Sequence, residues 1–226
     1  VGAGYRRIGL DGSIKTLSGG VAGTSSQNFS AEREAFFGFG EVSIPVFGPG
    51  NGVPLIHKLY LTGAVRYEEY DQIGGVGTPK IGIAYEPIAD VSLKASWGKS
   101  FKAPTLYQQF SARQGFLLPG FVFQTPLTTG RTVLLLGGSD AALKPEKATT
   151  WTATVTIQPR AVDGLRLEAS FFHIDYRERI VQPLVNLLAA FSTDAYQDLR
   201  LINPTTEQVQ AAVAGLSTGL TNQSGG

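Results

Sequence analysis

The chain has no cysteine and no methionine among its 226 residues. The first absence excludes disulfides and thiolate metal sites. The second removes even an initiator. The opening Val1-Gly-Ala-Gly-Tyr-Arg-Arg-Ile8 has neither the charged nor the apolar region of a secretory leader. With the polar close at Thr221-Asn-Gln-Ser-Gly-Gly226, this predicts an internal piece of a longer protein, cut at both ends. No stretch is apolar for the roughly 20 residues a membrane-spanning helix needs. A net charge of +1 with no clustered basic stripe gives no case for a nucleic-acid partner.

What is present is alternation. Residues 149–158 place Trp151, Ala153, Val155 and Ile157 on one face of a strand and Thr150, Thr152, Thr154, Thr156 and Gln158 on the other. About seven such candidates of roughly 8–13 residues occur, long enough to cross hydrocarbon when tilted. They fall near 1–8, 33–46, 58–70, 79–86, 91–101, 148–158 and 164–177. Strand 33–46 is ambiguous, because Phe36, Phe37 and Phe39 load both faces. Short Pro/Asp/Gly turns at 86–90 and 159–164 and a longer Gly/Pro turn at 46–57 lie on one side. Long loops at 9–32, at 102–147 and from 178 onward lie on the other, with a short loop at 71–78. Short periplasmic turns opposite long extracellular loops are the pattern of an outer-membrane barrel. Hydrophobic content of 42% and mean hydropathy of +0.03 agree, since a barrel strand gives lipid only every second residue.

The aromatics follow the same sidedness. Tyr67, Trp97, Trp151 and Phe171 fall towards the extracellular ends of their strands, as an interfacial girdle predicts. One loop helix is expected over 203–216, with Asn203 as cap, Pro204 at the first helical position and Gly215 near its end. Val209, Ala212, Val213 and Leu216 form its apolar stripe.

No catalytic constellation stands up, so an enzyme is not expected. His57 and His173 are isolated at opposite ends of the predicted wall, which leaves no metal site. Gly48-Pro-Gly-Asn-Gly52 lacks the Lys-Ser/Thr of a phosphate loop. The loop 102–147 is the candidate ligand-binding segment, being too long for a mere connector. Tyr107, Arg113, Gln114, Phe116, Phe121, Phe123 and Arg131 mix aromatic and cationic groups there, suited to flat or anionic ligands. Lys144 and Glu146 are expected as salt-bridge residues at the rim, and Lys80, Lys94, Arg166 and Glu168 as a hydrated lumen lining or as contacts to a plug.

Two segments carry a family resemblance. Trp97-Gly-Lys-Ser-Phe-Lys-Ala-Pro-Thr-Leu-Tyr107 resembles the Ser-Phe-Arg-Ala-Pro-Ser-Leu stretch of TonB-dependent outer-membrane receptors, here Ser100, Phe101, Lys102, Ala103 and Pro104. Leu143, Lys144, Pro145 and Glu146 resemble that family's Leu-Lys-Pro-Glu motif at the return from the loop. The Asn-Pro that often precedes it is Ser139-Asp-Ala-Ala142 here. Ala64–Tyr70 with Thr78-Pro-Lys80, and Phe171–Ile180, are similar to strands of the same family.

The resemblance implies an all-β, antiparallel transmembrane barrel in which residues 1–226 supply about seven strands of about 22. The plug domain and the C-terminal strands would lie outside this chain. It implies a receptor in the Gram-negative outer membrane that binds a scarce nutrient (siderophore-, cobalamin- or sugar-like) at extracellular loops. Import would be energised by the TonB complex, contacted through a missing N-terminal region. The implied partners are outer-membrane lipid, the protein's own plug, the TonB complex and the small-molecule nutrient; no cofactor is implied. Two other readings remain: a passive outer-membrane porin, and a soluble carbohydrate-binding β-sandwich with Trp97, Trp151 and Phe171 buried between two sheets.

Overall fold

A computed structural model describes residues 1–18, 21–216 and 219–224. In chain order the elements are β1 (Gly2–Ser18), β2 (Val21–Phe47), β3 (Lys58–Tyr70), β4 (Gly74–Ile88), β5 (Val91–Lys102) and α1 (Leu106–Phe110). They continue with β6 (Gln114–Pro119), β7 (Thr132–Gly137), β8 (Glu146–Ile157), β9 (Leu167–Arg177), α2 (Thr206–Val213) and β10 (Leu220–Asn222). The chain forms two compact units. The first comprises Val1–Ile8, Arg33–Pro104 and Lys144–Arg179; the second comprises Gly9–Glu32, Thr105–Leu143 and Ile180–Gly226.

The first unit is built on one sheet of seven strands in the order β1-β2-β3-β4-β5-β8-β9. Among the described residues the sheet is open, with β1 and β9 at its edges. Its register shows why alternation was so legible. Ile44, Leu61, Ile83, Ala95, Ala153 and Phe171 stand opposite one another across six strands. The neighbouring row on that face is Val42, Gly63, Ile81, Trp97, Trp151 and His173. The other face carries the row Pro45, Tyr60, Ala84, Lys94, Thr154 and Ser170. There hydroxyls meet across strands, Ser96 Oγ to Thr152 Oγ1 at 2.7 Å and Thr154 Oγ1 to Ser170 Oγ at 3.0 Å. Cross-strand pairs of matched character are the unit of sheet stability.

Several expectations are corrected. Residues 9–32 were expected as a long loop, yet β1 and β2 continue through the described part of this segment. Its Ser/Thr-rich composition hides the strand, because an antiparallel ladder needs paired amides and not apolar side chains. The loop expected at 71–78 shrinks to 71–73, since β4 starts at Gly74. Gly74, Gly75 and Gly77 have low strand propensity, and the Tyr67 hydroxyl lies over Gly75, 1.9 Å from where a Cβ would stand. Strand 164–177 begins only at Leu167. In β2 the ambiguity resolves: Phe36 faces with Val42, while Phe37 and Phe39 share the polar face with Arg66, whose guanidinium lies 4.2 Å from the Phe37 ring centre. At 48–57 the expected Gly/Pro turn is present, organised by Asn51, whose amide donates to the Gly48 and Ile56 carbonyls.

In the second unit the long loop is itself structured. Thr105 and Gln108 form a reciprocal capping box on α1. β6 and β7 make a hairpin, joined by β10 in parallel with β6. The helix expected from Asn203 starts later. Thr205 is its cap, again with a capping box to Gln208, and Asn203 instead adopts a left-handed conformation (φ 51°) outside it. The Glu207 carboxyl in its first turn is held below the usual carboxylate range by its own backbone N–H and then by the Thr205 hydroxyl. Leu216 falls beyond the helix end at Val213.

The face assignment makes a direct expectation. Val155 shares its face with Leu93 and Ala169, and Thr154 shares the other with Lys94 and Ser170. Val155→Arg is expected to destabilise the bilayer-embedded protein by about 2–4 kcal/mol, and Thr154→Arg far less. Denaturant titration in bilayers checks this; equal losses in the two variants would refute the facing.

Candidate functional site

Two places gather the residues singled out from the sequence: the joint where β5 leaves and β8 returns, and the excursion between them. At the joint, Lys102 stands in register with Glu146. The Lys102 Nζ approaches the Glu146 carboxylate at 3.1 Å, and the Tyr176 hydroxyl donates to it at 2.9 Å. Glu146 is only 3% exposed, so its charge is held by partners and not by water. Pro145 precedes the first residue of β8 and so breaks no ladder bond within that strand.

Pro104 is buried, and its carbonyl accepts from Arg33 Nη1 at 2.6 Å. Arg33 also donates to Gln72 Oε1 at 3.4 Å. Sequence reading missed Arg33, because its partner lies 71 residues away and no local pattern marks it. Phe101 packs edge-on to Tyr70 with ring centres 5.9 Å apart. The Tyr70 hydroxyl donates to Glu68 at 2.6 Å, and Arg6 and Arg66 pair with the same buried carboxylate. The departure strand of the joint is therefore anchored on a buried, fully partnered ionic cluster formed by β1 and β3.

The excursion is pinched at its base. The fully buried Gln109 donates its side-chain amide to the Ala141 and Leu143 carbonyls, each at 3.3 Å. The Asp140 N–H donates to the Gln108 carbonyl at 3.0 Å, and Ser139 Oγ to the Ser111 carbonyl at 2.5 Å. Ser139 and Asp140, within the stretch 139–142, thus help supply the clamp.

The seven candidates of the loop do not all converge on one place. Tyr107 is 51% exposed on α1, with its ring edge-on to Phe29 at 5.7 Å. Arg113 lies beside Gly215. Gln114 and Phe116 stand on β6 opposite Gly137 and Leu135. Phe121 is 70% exposed, whereas Phe123 is buried against Phe191 with ring centres 5.1 Å apart. Arg131 donates to Asn203 Oδ1 and, with Phe123, lines a cavity of about 620 Å³. That cavity is mostly aliphatic, with Leu117, Val133, Leu135 and Leu187 among its walls and Tyr196 and Arg200 at its polar edge.

The four aromatic candidates are placed as follows. Trp97 and Trp151 are register partners with ring centres 6.1 Å apart. Phe171 stands two residues along β9 from His173, the partner of Trp151, and Tyr67 lies opposite Gly38 and Gly77. Trp151 is 55% exposed and Phe171 is 65% exposed, which no core between two sheets would leave. Among the described residues no group of three His, Asp or Glu side chains could hold a metal ion.

Known proteins match this arrangement. The family model for the TonB dependent receptor-like β-barrel matches residues 1–200. A vitamin B12 transporter, BtuB, of Vibrio cholerae serotype O1 is 36% identical over 55 residues, 24% of this chain and 9% of that protein. Two mutant forms of the ferric enterobactin receptor PfeA from Pseudomonas aeruginosa superpose with TM-scores of 0.54 and 0.52. Each is 20% identical, over 77% of this chain and 23% of the receptor, a likeness of fold. The chain thus spans less than a quarter of the length of these relatives.

The excursion rests on one close backbone approach. A Cβ at Gly120 would stand 1.8 Å from the Thr128 carbonyl oxygen and 2.6 Å from that of Arg131, which accepts the Gly120 N–H. Backbone cannot yield as a side-chain tip can. Gly120→Ala is expected to cost about 1–3 kcal/mol of local stability, while Gly137→Ala, with open space around it, is near neutral. Hydrogen exchange of residues 114–137 reads the difference, and equal protection in both variants would refute the packing.

Proposed function

The chain belongs to the TonB-dependent receptor β-barrel family, and on that premise we propose that it forms part of the wall and loops of an outer-membrane nutrient importer. The receptor binds a small molecule on its extracellular side and imports it with energy from the TonB complex. One observation carries this reading. The two family motifs, at Ser100–Pro104 and Leu143–Glu146, meet in register at Lys102 and Glu146 on one end of a seven-stranded sheet. That sheet has one apolar and one hydroxyl-rich, charged face, as a wall between lipid and a wet lumen requires.

The matched proteins carry ferric enterobactin receptor and vitamin B12 transporter in their names, and a chelate of siderophore or cobalamin type is the substrate class we assign. The largely aliphatic cavity beside Arg131 favours a ligand with an apolar portion as well as negative charge. Tyr67, Trp97, Trp151 and Phe171 serve as the interfacial girdle in this reading, with the membrane on their side of the sheet. A passive porin would share the wall but would not need an energised partner.

Uptake separates the two. Cells expressing the open reading frame that contains this chain are expected to accumulate a labelled ferric siderophore or cobalamin only while the TonB complex is intact. Accumulation that persists without TonB and tracks the external concentration would establish the porin instead.

A further inference from the structure

Beyond the Trp97–Trp151 pair, the apolar face of the sheet changes character. Two residues further along, the row is Lys99, Thr149 and Asp175; two further again it is Phe101, Lys147 and Arg177. At about 3.3 Å per residue these rows lie roughly 7 and 13 Å along the strands from the tryptophans. Lys147 and Arg177 are direct cross-strand partners on one face. Like charges so placed repel and lower the stability of the pair.

Their nearest carboxylates offset this only in part. Arg177 pairs with Asp175 at 2.6 Å, and Lys147 with Glu178 at 3.2 Å. The Lys99 ammonium lies 5.9 Å from the Trp97 ring centre. These groups line a cleft of about 790 Å³ whose walls also include Lys144, His173, Trp151 and Phe101. Asp175 is the one carboxylate in the lining against Lys99, Lys144, Lys147 and Arg177. On the flank, Glu69 is occupied by the Tyr67 hydroxyl at 2.6 Å. Gly77, also in the lining, carries no side chain on the β4 side, while the Tyr67 hydroxyl covers Gly75.

We infer that this cleft seats the phosphorylated headgroup of an outer-leaflet lipid, with its acyl chains lying down the Trp97–Trp151–Ile81 face. The inference rests on the outward assignment of that face made above. Charge complementarity selects the occupant: an excess of cations surrounds an apolar floor at the depth where aromatic belts meet headgroups. The Arg177 guanidinium can hold two phosphate oxygens at once, and Lys147 and Lys99 add point charges beside it. A phosphate between Lys147 and Arg177 turns their mutual repulsion into a bridge across β8 and β9.

The test uses the protein from the open reading frame containing this chain, reconstituted in phosphatidylcholine vesicles with or without a minor fraction of bis-phosphorylated lipid A. The phosphorylated lipid is expected to raise the unfolding midpoint by about 3–5 °C. Lys99→Ala/Lys147→Ala/Arg177→Ala should abolish that shift. Lys80→Ala/Lys94→Ala, on the opposite face, should retain it. Inorganic phosphate in phosphatidylcholine vesicles should give no shift, since the site needs the acyl chains as well. An equal shift in the triple variant, or the same shift from inorganic phosphate, overturns the proposal. Should the triple variant fail to fold, mass spectrometry of lipid retained by the unsubstituted protein decides: preference for phosphorylated over neutral lipid supports the site, and none removes it. A protein that inserts in neither vesicle contradicts the wall reading itself, whereas insertion without discrimination contradicts this inference alone.

Discussion

Cross-strand pairing is the constraint on which the first unit depends. In hydrocarbon a backbone amide has no water to turn to, and each unpaired group costs several kcal/mol. The ladder from β2 to β9 therefore fixes everything else: once amides pair, side chains have two faces and no third choice. The register places Ile44, Leu61, Ile83, Ala95, Ala153 and Phe171 in one row without exception. Where the register shifts, between Pro45 and Phe47 and between Tyr85 and Ile88, it does so beside the short connections and not in mid-sheet.

Polar groups within this frame are handled by enclosure. Glu68 receives Arg6, Arg66 and Tyr70; Glu146 receives Lys102 and Tyr176; Arg33 caps the Pro104 carbonyl. Among the described residues no buried side-chain polar atom lacks a partner. The two motifs first noticed as a resemblance thus have a physical content: one supplies the buried proline whose carbonyl Arg33 reaches, the other the carboxylate that ties β8 to β5 and β9.

The strictly alternating strands were legible in the sequence to within a residue or two: β3, β5 and β8 follow the expected 58–70, 91–101 and 148–158 closely. Legibility failed where propensity and pattern disagree. The first half of β4 is glycine-rich, and the extensions of β1 and β2 are rich in serine and threonine, so both read as loop. The start of α2 was misjudged because Asn203-Pro204 offered a cap two residues before Thr205, whose box with Gln208 won. A similar Thr-x-x-Gln signature at Thr105 and Gln108 marks α1 and could have been found. The ligand candidates of the excursion dispersed, because composition says which side chains are present and not which way a hairpin turns them. Arg33 was beyond reach for the opposite reason: its role exists only through a contact across distant sequence.

The pinch at Gln109 has a consequence for how such a protein can change. With residues 105–111 bound to 139–143, the segment between them hangs from a closed neck. The entropy of closing that neck grows only with the logarithm of the enclosed length, about 0.6 kcal/mol per doubling. Residues 112–138 can therefore be lengthened, shortened or exchanged while the neck, and the strands that enter and leave it, stay as they are. Excursion and scaffold are separable here, and a lineage could rewrite the tassel without re-weaving the cloth.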